Sequence, residues 1–402
     1  MLRLIILTAF LVLAGCRSPV RAPRDPAAAG GATAISIVPA AATAVRRWTI
    51  RVDPQPTATV PAAFAEPSVY LFRGGALERV EAGTGRVLWS RPSVHANFLV
   101  RERDGFVVLK SFAGLQAFRA DTGEPLWSQP EAGGEAEMDV AGGRVFVHTP
   151  NRAAAFDVAT GSPVWSERIG GGYNGDAESL ALRAADGGGV LQLNDSPDTI
   201  TPEAFGFDPH TGVWSWRQQG RIVAIQGDEV YLHKAAAHEV WVRRLTDGTF
   251  LRVIPIEGHD GGYLEVREGL VLYSALQSYF VPPRTLIRGE AAFRIAAARE
   301  LRREVVARSA ATGDVRWFVR LPGEGPFACA ATNRLLCVLT RNRRASAFPL
   351  PCRVETYDLA RGAPMFRVDA EEGIRRVDGA GRHLYVRTFG DEVHDLEWYA
   401  RP

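Results

Sequence analysis

The sequence lacks an excess of charge of either sign. Its 402 residues carry 47 basic and 45 acidic side chains, which gives a formal net charge of +2. Proteins that bind nucleic acid concentrate positive charge on one surface, and this balance offers no such surface. We therefore expect no nucleic acid among its partners.

The sequence also lacks the motifs of common enzyme classes. It contains no His-Glu-x-x-His helix, no Cys-x-x-Cys pair and no phosphate-binding glycine loop. The 8 histidines are scattered, and we interpret His259–Asp260 and His394–Asp395 as turns or satisfied surface pairs. Asn194 to Asp198 is the nearest approach to a calcium loop, and we interpret it as a loop with solvated acids. We predict no catalytic residue and no metal site.

Long hydrophobic runs are scarce. The apolar run from Leu4 to Leu13 is too short for a comfortable transmembrane helix and is typical of an export signal. It leads into Leu13-Ala14-Gly15-Cys16, which resembles a lipobox, the site where bacterial lipoproteins are cleaved and acylated. We predict a signal peptide over residues 1–15 and a lipid on Cys16. Because Arg17 follows, where Asp would favour the inner membrane, we expect the periplasmic face of the outer membrane.

Large side chains are rare in residues 16–45, which are rich in alanine, proline and glycine. Such a segment cannot bury enough apolar surface to fold alone. We predict a flexible tether over residues 16–45 and a folded domain over residues 46–402, beginning with a strand around Arg47 to Val52.

One pattern recurs along the folded part. Its clearest copies run from Arg79 to Trp89, Ala117 to Trp127 and Ala155 to Trp165. Four less regular copies end at Trp216, Arg252, Trp317 and Phe366. Each copy alternates apolar and polar residues on both sides of a turn, usually Thr-Gly, which predicts a β-hairpin.

The glycine in each copy supplies the positive φ that a tight hairpin turn needs. The predicted turn glycines are Gly85, Gly123, Gly161, Gly212, Gly248, Gly313 and Gly362. An aromatic residue at a fixed distance after the turn predicts a layer of rings packed between neighbouring repeats. The predicted structural aromatics are Trp48, Trp89, Trp127, Trp165, Trp216, Trp317 and Phe366.

The number of units follows from the seven turns. Trp48 lies on a strand with no hairpin before it, and the C-terminal end supplies strands with no outer partner. If the N-terminal strand completes the last sheet, the array closes into a ring and hides its terminal edges. Composition agrees, because 40 glycines and 25 prolines are many for a helical protein. We predict an all-β, eight-bladed β-propeller of four-stranded blades, with the closing blade completed by the N-terminal strand.

The widest interval between repeats contains an insertion over residues 279–303. Tyr279 to Pro283 is typical of an exposed loop, and Glu290 to Leu301 has the composition of a helix. Insertions on a rigid scaffold often carry function, although a surface decoration is equally common. Tyr279, Phe280 and Phe293 are the candidate partner-binding residues.

Three cysteines follow Cys16. An exported protein meets an oxidising compartment, where disulfides form. Cys329 and Cys337 flank a predicted hairpin turn and are candidates for a disulfide, with Cys352 as the rival partner. We expect the remaining thiol to be buried.

The Ala-x-Asp-x-x-Thr-Gly-x-x-x-Trp pattern resembles the repeat of PQQ-type β-propellers over residues 46–402. That family includes quinoprotein dehydrogenases and the BamB lipoproteins, which support the insertion of β-barrel proteins into the outer membrane. The chain is similar to BamB in its lipobox, short tether and eight repeats. The resemblance implies a non-catalytic scaffold that is anchored by its lipid and binds envelope proteins, including the β-barrel insertase.

Two alternatives stay open. The chain could be an adaptor of another envelope complex or a PQQ-dependent periplasmic dehydrogenase. Resemblance to the dehydrogenases implies a vicinal disulfide, a tryptophan platform and a calcium site of Glu, Asn and Asp, yet the sequence has no adjacent cysteines. We expect no cofactor, and a self-contained ring predicts a monomer.

Overall fold

Eight antiparallel sheets form a ring in the computed structural model, which confirms the predicted propeller. The described residues are 35–52, 62–65, 68–92, 99–111, 113–130, 137–149, 152–169, 181–193, 202–281, 284–288, 291–295, 298–321, 327–341, 352–371, 373–380, 382–389 and 392–400. We number the sheets as blades 1 to 8 in chain order.

Blades 1 to 5 are each built from four consecutive strands. Blade 1 contains β3 (Ala62–Ala65), β4 (Ser68–Arg73), β5 (Ala76–Glu81) and β6 (Val87–Pro92). Blade 2 contains β7 (Leu99–Arg103), β8 (Phe106–Ser111), β9 (Gly114–Arg119) and β10 (Pro125–Gln129). Blade 3 contains β11 (Glu137–Ala141), β12 (Arg144–Thr149), β13 (Arg152–Asp157) and β14 (Pro163–Arg168). Blade 4 contains β15 (Ala181–Ala185), β16 (Gly188–Leu193), β17 (Glu203–Phe207) and β18 (Trp214–Gln219). Blade 5 contains β19 (Arg221–Gln226), β20 (Glu229–Lys234), β21 (Glu239–Arg244) and β22 (Phe250–Pro255), with a 3-10 turn at Ala235–Ala237.

Blades 6 to 8 depart from this plan. Blade 6 contains β23 (His259–Arg267), β24 (Leu270–Val281), β27 (Ala298–Ser309) and β28 (Val315–Arg320), and a separate hairpin of β25 (Arg284–Arg288) and β26 (Ala291–Ile295). Blade 7 contains β29 (Phe327–Ala331), β30 (Leu335–Arg341), β31 (Cys352–Asp358), β32 (Pro364–Ala370) and, as a fifth strand, β1 (Ile35–Pro39). Blade 8 contains β33 (Ile374–Ala380), β34 (His383–Thr388), β35 (Glu392–Ala400) and β2 (Ala42–Arg51).

The first strands of neighbouring blades contact one another around the ring, and β33 of blade 8 contacts β3 of blade 1. First strands therefore lie nearest the axis and fourth strands lie outermost. The N-terminal strand β2 pairs with β35, the last strand of the chain. This pairing confirms that the N-terminal strand completes the closing blade.

The core lies between the blades. Alternation along each strand sends side chains into the gaps on both sides of a sheet, and each of the eight neighbouring pairs of blades shares one cluster of buried apolar residues. In β2, for example, Ala42, Ala44, Trp48 and Ile50 are buried while the residues between them are exposed. Burial of apolar area in these gaps is what stabilises the ring.

The predicted boundary at residue 46 is too late. Strands β1 and the first half of β2 fall within the predicted tether. Ile35 and Ile37 pack on the cluster between blades 7 and 8, and Ala42 is fully buried. Small side chains suffice here because the edges of existing sheets provide the rest of the core. Residues 1–34 lie outside the described part, so the signal peptide and the lipid on Cys16 stay predictions.

The helix predicted over Glu290 to Leu301 and the loop predicted over Tyr279 to Pro283 are wrong. Tyr279 and Phe280 lie on β24, Phe293 lies on β26, and β24 pairs with β27 along the full length of both strands. Helix propensity is a weak local preference that continuous pairing with a neighbouring strand overrides. Pro282 and Pro283 lie outside the described residues.

Candidate functional site

The repeat tryptophans lie at the junctions between blades. Each indole ring covers the turn glycine of the next blade, which is the packing that the constant spacing predicts. The pairs are Trp48 with Gly85, Trp89 with Gly123, Trp127 with Gly161, Trp165 with Gly212, Trp216 with Gly248 and Trp317 with Gly362. At Gly212, φ is +75° and a Cβ atom would lie 2.6 Å from Cδ2 of Trp165, so only glycine fits this turn.

The same tryptophans donate a hydrogen bond across the junction. In every case the indole Nε1 donates to the main-chain carbonyl three residues before the turn glycine. The acceptors are Ala82 for Trp48, Ala120 for Trp89, Val158 for Trp127, Pro209 for Trp165, Leu245 for Trp216 and Leu359 for Trp317. A buried indole N–H needs such a partner. One tryptophan side chain therefore fills the space between two blades and also forms a hydrogen bond between them.

Arg252 replaces the tryptophan in blade 5. Its Nε donates to the carbonyl of Ala310, the equivalent acceptor, at 2.7 Å. Its two terminal nitrogens bind the carboxylate of Glu229 at 2.6 Å each. The guanidinium therefore keeps the hydrogen bond across the junction but not the aromatic packing, and the nearest atom to a Cβ on Gly313 would be Pro255 Cδ at 3.6 Å.

Phe366 occupies the repeat position in blade 7 but meets no turn glycine. Blade 8 has no turn between its third and fourth strands, because these are β35 and β2 from opposite ends of the chain. A cavity of about 600 Å³ opens here, lined by side chains that include Arg334, Arg382 and Trp398. Nε1 of Trp398 is buried and has no hydrogen-bond partner among the described residues.

The described residues do not fit the site that quinoprotein dehydrogenases imply. The repeat tryptophans are engaged in the blade junctions, and Trp398 is the single tryptophan lining the cavity. Within the described ranges, no group of three or more His, Cys, Asp or Glu side chains is placed to hold a metal ion. Across the same ranges, no helix has the length and apolar character needed to cross a membrane.

The predicted disulfide does not form. None of the three cysteines that the structure describes is in a disulfide bond. Cys329 pairs with Val338, and Cys337 pairs with Ala330. The one-residue offset sends the two thiols to opposite faces of the sheet, where they join different clusters. Cys352 is buried, as is Cys337.

Exposed apolar residues concentrate on the fourth strands of blades 4 to 6 and the turns that precede them. We call this set the outer-strand surface, and it comprises Val213, Trp214, Phe250, Leu251, Val253, Val315 and Phe318. Phe250 is 48% exposed and Phe318 is 51% exposed. Among the described strands, β18, β22 and β28 each pair with one neighbour, so their outer edges are open.

Arginine and lysine side chains lie against the aromatic rings of this region. Arg243 lies over Phe250 at 5.8 Å, and Arg320 lies over Phe318 at 5.9 Å. Lys234 lies over Trp241, which meets Phe250 edge to face at 5.7 Å. Exposed aromatic and arginine side chains together are the composition of protein-binding surfaces.

A second set of polar residues lies at one equivalent position of the second strands, where all are buried except His233, which is half-buried. In blade 3, for example, Trp165 pairs with Ala155 of the third strand, and His148 pairs with Ala153, two residues earlier. The same offset defines the position in the other blades, with Arg252 taking the place of the tryptophan in blade 5. The polar residues at this position are Lys110, His148, Gln192, His233, Ser274 and Arg387. The position faces the first strand of the next blade, as shown by Gln192, whose Oε1 accepts a hydrogen bond from the backbone N–H of Ile222 at 3.0 Å.

Two histidines at this position differ in their surroundings. His148 is fully buried, and neither ring nitrogen has a partner among the described residues. Burial lowers the pKa of His148 to about 4. His233 instead meets the ring of His259 in the next blade, with centroids 5.0 Å apart and planes at 87°. Burial, with a smaller contribution from His259, lowers the pKa of His233 to about 4.

The interpretation of the two His-Asp pairs as turns or surface pairs is wrong in part. His259, His394 and Asp395 are buried. His394 contacts Thr49 at 2.9 Å, and Asp395 contacts His383 at 2.9 Å. The pairing of His233 with His259 gave no signal in the sequence, because the two residues lie in different blades and only the strand register brings them together.

A family model described as "Outer membrane protein assembly factor BamB" matches residues 73–220, which run from the end of β4 in blade 1 to the end of blade 4. Comparison with curated proteins gave no match. BamB from Moraxella catarrhalis is similar in structure, with a TM-score of 0.57 and 13% identity over 88% of this chain and 100% of that one.

Two further solved structures share the fold. The computationally designed Ika8 protein has a TM-score of 0.56 and 15% identity over 87% of this chain and 98% of its own. Quinohemoprotein alcohol dehydrogenase from Comamonas testosteroni has a TM-score of 0.56 and 12% identity over 88% of this chain and 76% of its own. At these identities the likeness is one of fold. Together with the repeat pattern and the family match, it identifies the chain as an eight-bladed β-propeller of PQQ-like repeats that resembles BamB.

Proposed function

We propose that the protein is a non-catalytic scaffold with a BamB-like role in the assembly of outer-membrane β-barrel proteins. A lipid on Cys16 holds it at the periplasmic face of the outer membrane, and its propeller binds envelope proteins. The match to the BamB family model over residues 73–220 supports this role.

The observation that carries the proposal is the fifth strand of blade 7. Residues of β1 pair with β32 in antiparallel register, from Ile35 opposite Ala370 to Pro39 opposite Phe366. The outer edge of a blade in this protein therefore accepts an added extended segment. Addition of a strand to an open sheet edge is a common mode of peptide binding.

Blades 4 to 6 offer the same kind of edge, and no strand among the described residues covers it. Main-chain hydrogen bonds to β18, β22 or β28 would hold an extended partner segment, and the exposed apolar side chains would contact its apolar residues. Segments of unfolded outer-membrane proteins have this chemistry, since their strands alternate apolar and polar side chains. The outer-strand surface is thus the proposed binding surface.

The lipid anchor and tether contribute through local concentration. Confining the scaffold to one membrane leaflet raises its effective concentration towards partners in the same membrane. Weak contacts along a strand edge then suffice for occupancy. A monomeric propeller meets these requirements, because each open edge acts independently.

Affinity capture of the intact, acylated protein from its native envelope, after crosslinking and with identification by mass spectrometry, tests this role. We expect recovery of the β-barrel insertase and its companion lipoproteins. The double substitution Phe250→Glu with Phe318→Glu should lower recovery at least about tenfold, because truncation of central interface residues typically costs more than about 2 kcal/mol. Val164→Glu, on the outer strand of blade 3, is the matched control and should have no effect.

The outcomes separate the alternatives. Recovery of other envelope proteins without the insertase would contradict the BamB-like role and support an adaptor of another complex. Unchanged recovery with the double substitution would contradict the outer-strand surface. A quinone absorbance band with calcium-dependent alcohol oxidation would support the dehydrogenase alternative. The similarity in fold to the Comamonas testosteroni enzyme is the reason to test it.

A further inference from the structure

The histidine pair between blades 5 and 6 suggests an activity that the scaffold role does not require. We propose that His233 and His259 form a two-histidine site for a divalent transition metal ion such as Zn²⁺, with water in the remaining coordination positions. The site would lie at one junction of the ring, away from the open edges of the fourth strands.

The separation of the rings suits a shared metal ion. In tetrahedral zinc sites the Zn–N distance is about 2.0–2.1 Å, which places the centroids of two coordinating imidazoles roughly 5 Å apart. The centroids of His233 and His259 are 5.0 Å apart, and the planes cross at 87°.

The nitrogen atoms themselves lack other partners. Nε2 of His233 and Nε2 of His259 are both buried and make no hydrogen bond to any described residue. His259 is 8% exposed. An unsatisfied polar atom in such a place is costly, by about 1–3 kcal/mol, and coordination of an ion would remove that cost.

A metal ion binds a neutral imidazole through the ring nitrogen that carries no proton. Burial lowers the pKa of His259 and keeps the neutral form that binds metal.

Neighbouring groups are otherwise engaged or lie at the surface. Asp260 accepts hydrogen bonds from Ser274 Oγ at 2.5 Å and from the backbone N–H of Gly262 at 3.0 Å, and its other oxygen lies 3.6 Å from Arg303. His238 is exposed, at the end of the 3-10 turn beside the pair. His148 provides a matched control, because it occupies the equivalent position in blade 3 without a histidine opposite.

Isothermal titration of the intact protein with ZnCl₂ near neutral pH tests the site. We expect one Zn²⁺ per chain. His233→Ala and His259→Ala should each weaken binding by more than the roughly 10–100-fold that loss of an outer-shell partner costs. His148→Ala and His238→Ala should leave the affinity unchanged, and circular dichroism of each variant should match the wild type.

Electron paramagnetic resonance with Cu²⁺ gives a second readout, which counts the coordinating nitrogens directly. The wild-type protein should show hyperfine coupling to two imidazole nitrogens, and each single variant should show coupling to one at most. Absence of saturable Zn²⁺ binding would overturn the proposal. Binding that survives both substitutions, or that is lost with His238→Ala alone, would also overturn it by locating the metal elsewhere.

Discussion

The junction between blades 3 and 4 and the junction between blades 5 and 6 solve the same packing problem differently. In the first, Trp165 covers Gly212 and donates to the carbonyl of Pro209 at 3.1 Å. In the second, Arg252 donates to the carbonyl of Ala310 at 2.7 Å and leaves space beside Gly313. The hydrogen bond is kept in both, whereas the aromatic layer is present only in the first.

The difference shows which part of the repeat is essential to the ring. A donor that reaches the carbonyl before the turn is required, since an unpaired buried carbonyl is costly. The ring of the tryptophan is replaceable by a side chain that keeps this donor, here Arg252 held by Glu229. Polar chemistry can therefore enter the core at the second junction without breaking the propeller.

The largest difference in stability between the two junctions should come from truncating Trp165 in the first and Arg252 in the second. We expect Trp165→Ala to lower the free energy of unfolding by about 3–5 kcal/mol, the usual cost of removing a large aromatic side chain from a packed site. Arg252→Ala should cost roughly 1.5–3 kcal/mol, the value of a charged hydrogen bond. Urea denaturation of both variants measures the two costs. Equal losses would mean that the aromatic layer contributes nothing beyond the hydrogen bond.

The second contrast concerns pH and the histidines of the two junctions. His148 has a folded pKa of about 4, below its usual 6.5, so the unfolded chain binds more protons between these values. The free energy of unfolding therefore has its full value, as far as His148 is concerned, above about pH 6.5. It falls by about 3 kcal/mol as the pH is lowered towards 4.

His148→Phe should remove this share of the pH dependence, and blade 1 already has Phe72 at the equivalent position. The comparison is the change in unfolding free energy from pH 6.5 to pH 4 in the wild type and the variant, by urea denaturation. An unchanged slope would show that His148 is not the group that titrates. The same comparison with His259→Ala measures how much the histidine pair at the second junction contributes to the pH dependence of the free energy of unfolding.

The smallest contrast comes from the turn glycines. A Cβ at Gly212 would lie 2.6 Å from Trp165, whereas a Cβ at Gly313 would have its nearest neighbour at 3.6 Å. Both have positive φ, so alanine costs about 1–2 kcal/mol at either. Overpacking should add about 1–3 kcal/mol at Gly212 alone. Thermal unfolding of Gly212→Ala and Gly313→Ala tests this, and a larger loss at Gly313 would contradict the packing described.

The repeat made the fold predictable from the sequence. Gly and Trp at a constant offset specify a hairpin and its contact with the next blade, so seven turns and an orphan strand with Trp48 sufficed to count eight blades. Other features depended on pairing between distant strands. Ala298 to Leu301 has helical composition but lies on β27 beside β24, and Ile35 to Pro39 becomes a strand only because β32 offers an edge.

The candidate sites were harder to predict for the same reason. A shift of one residue in the pairing of β29 with β30 separates Cys329 from Cys337, and the turn between them does not reveal that register. His233 and His259 meet through the packing of two blades, which no local motif encodes. The outer-strand surface is a property of strand edges, and a sequence of alternating residues does not show which edges stay open.

Photocrosslinking from the outer-strand surface tests the central claim most directly. A photoreactive residue in place of Leu251, on the open edge of β22, is compared in the native envelope with one in place of Val164 on β14. The scaffold account predicts crosslinks to the β-barrel insertase or to unfolded outer-membrane proteins from position 251 and none from position 164. Crosslinks from position 164 alone, or none from position 251, would contradict it.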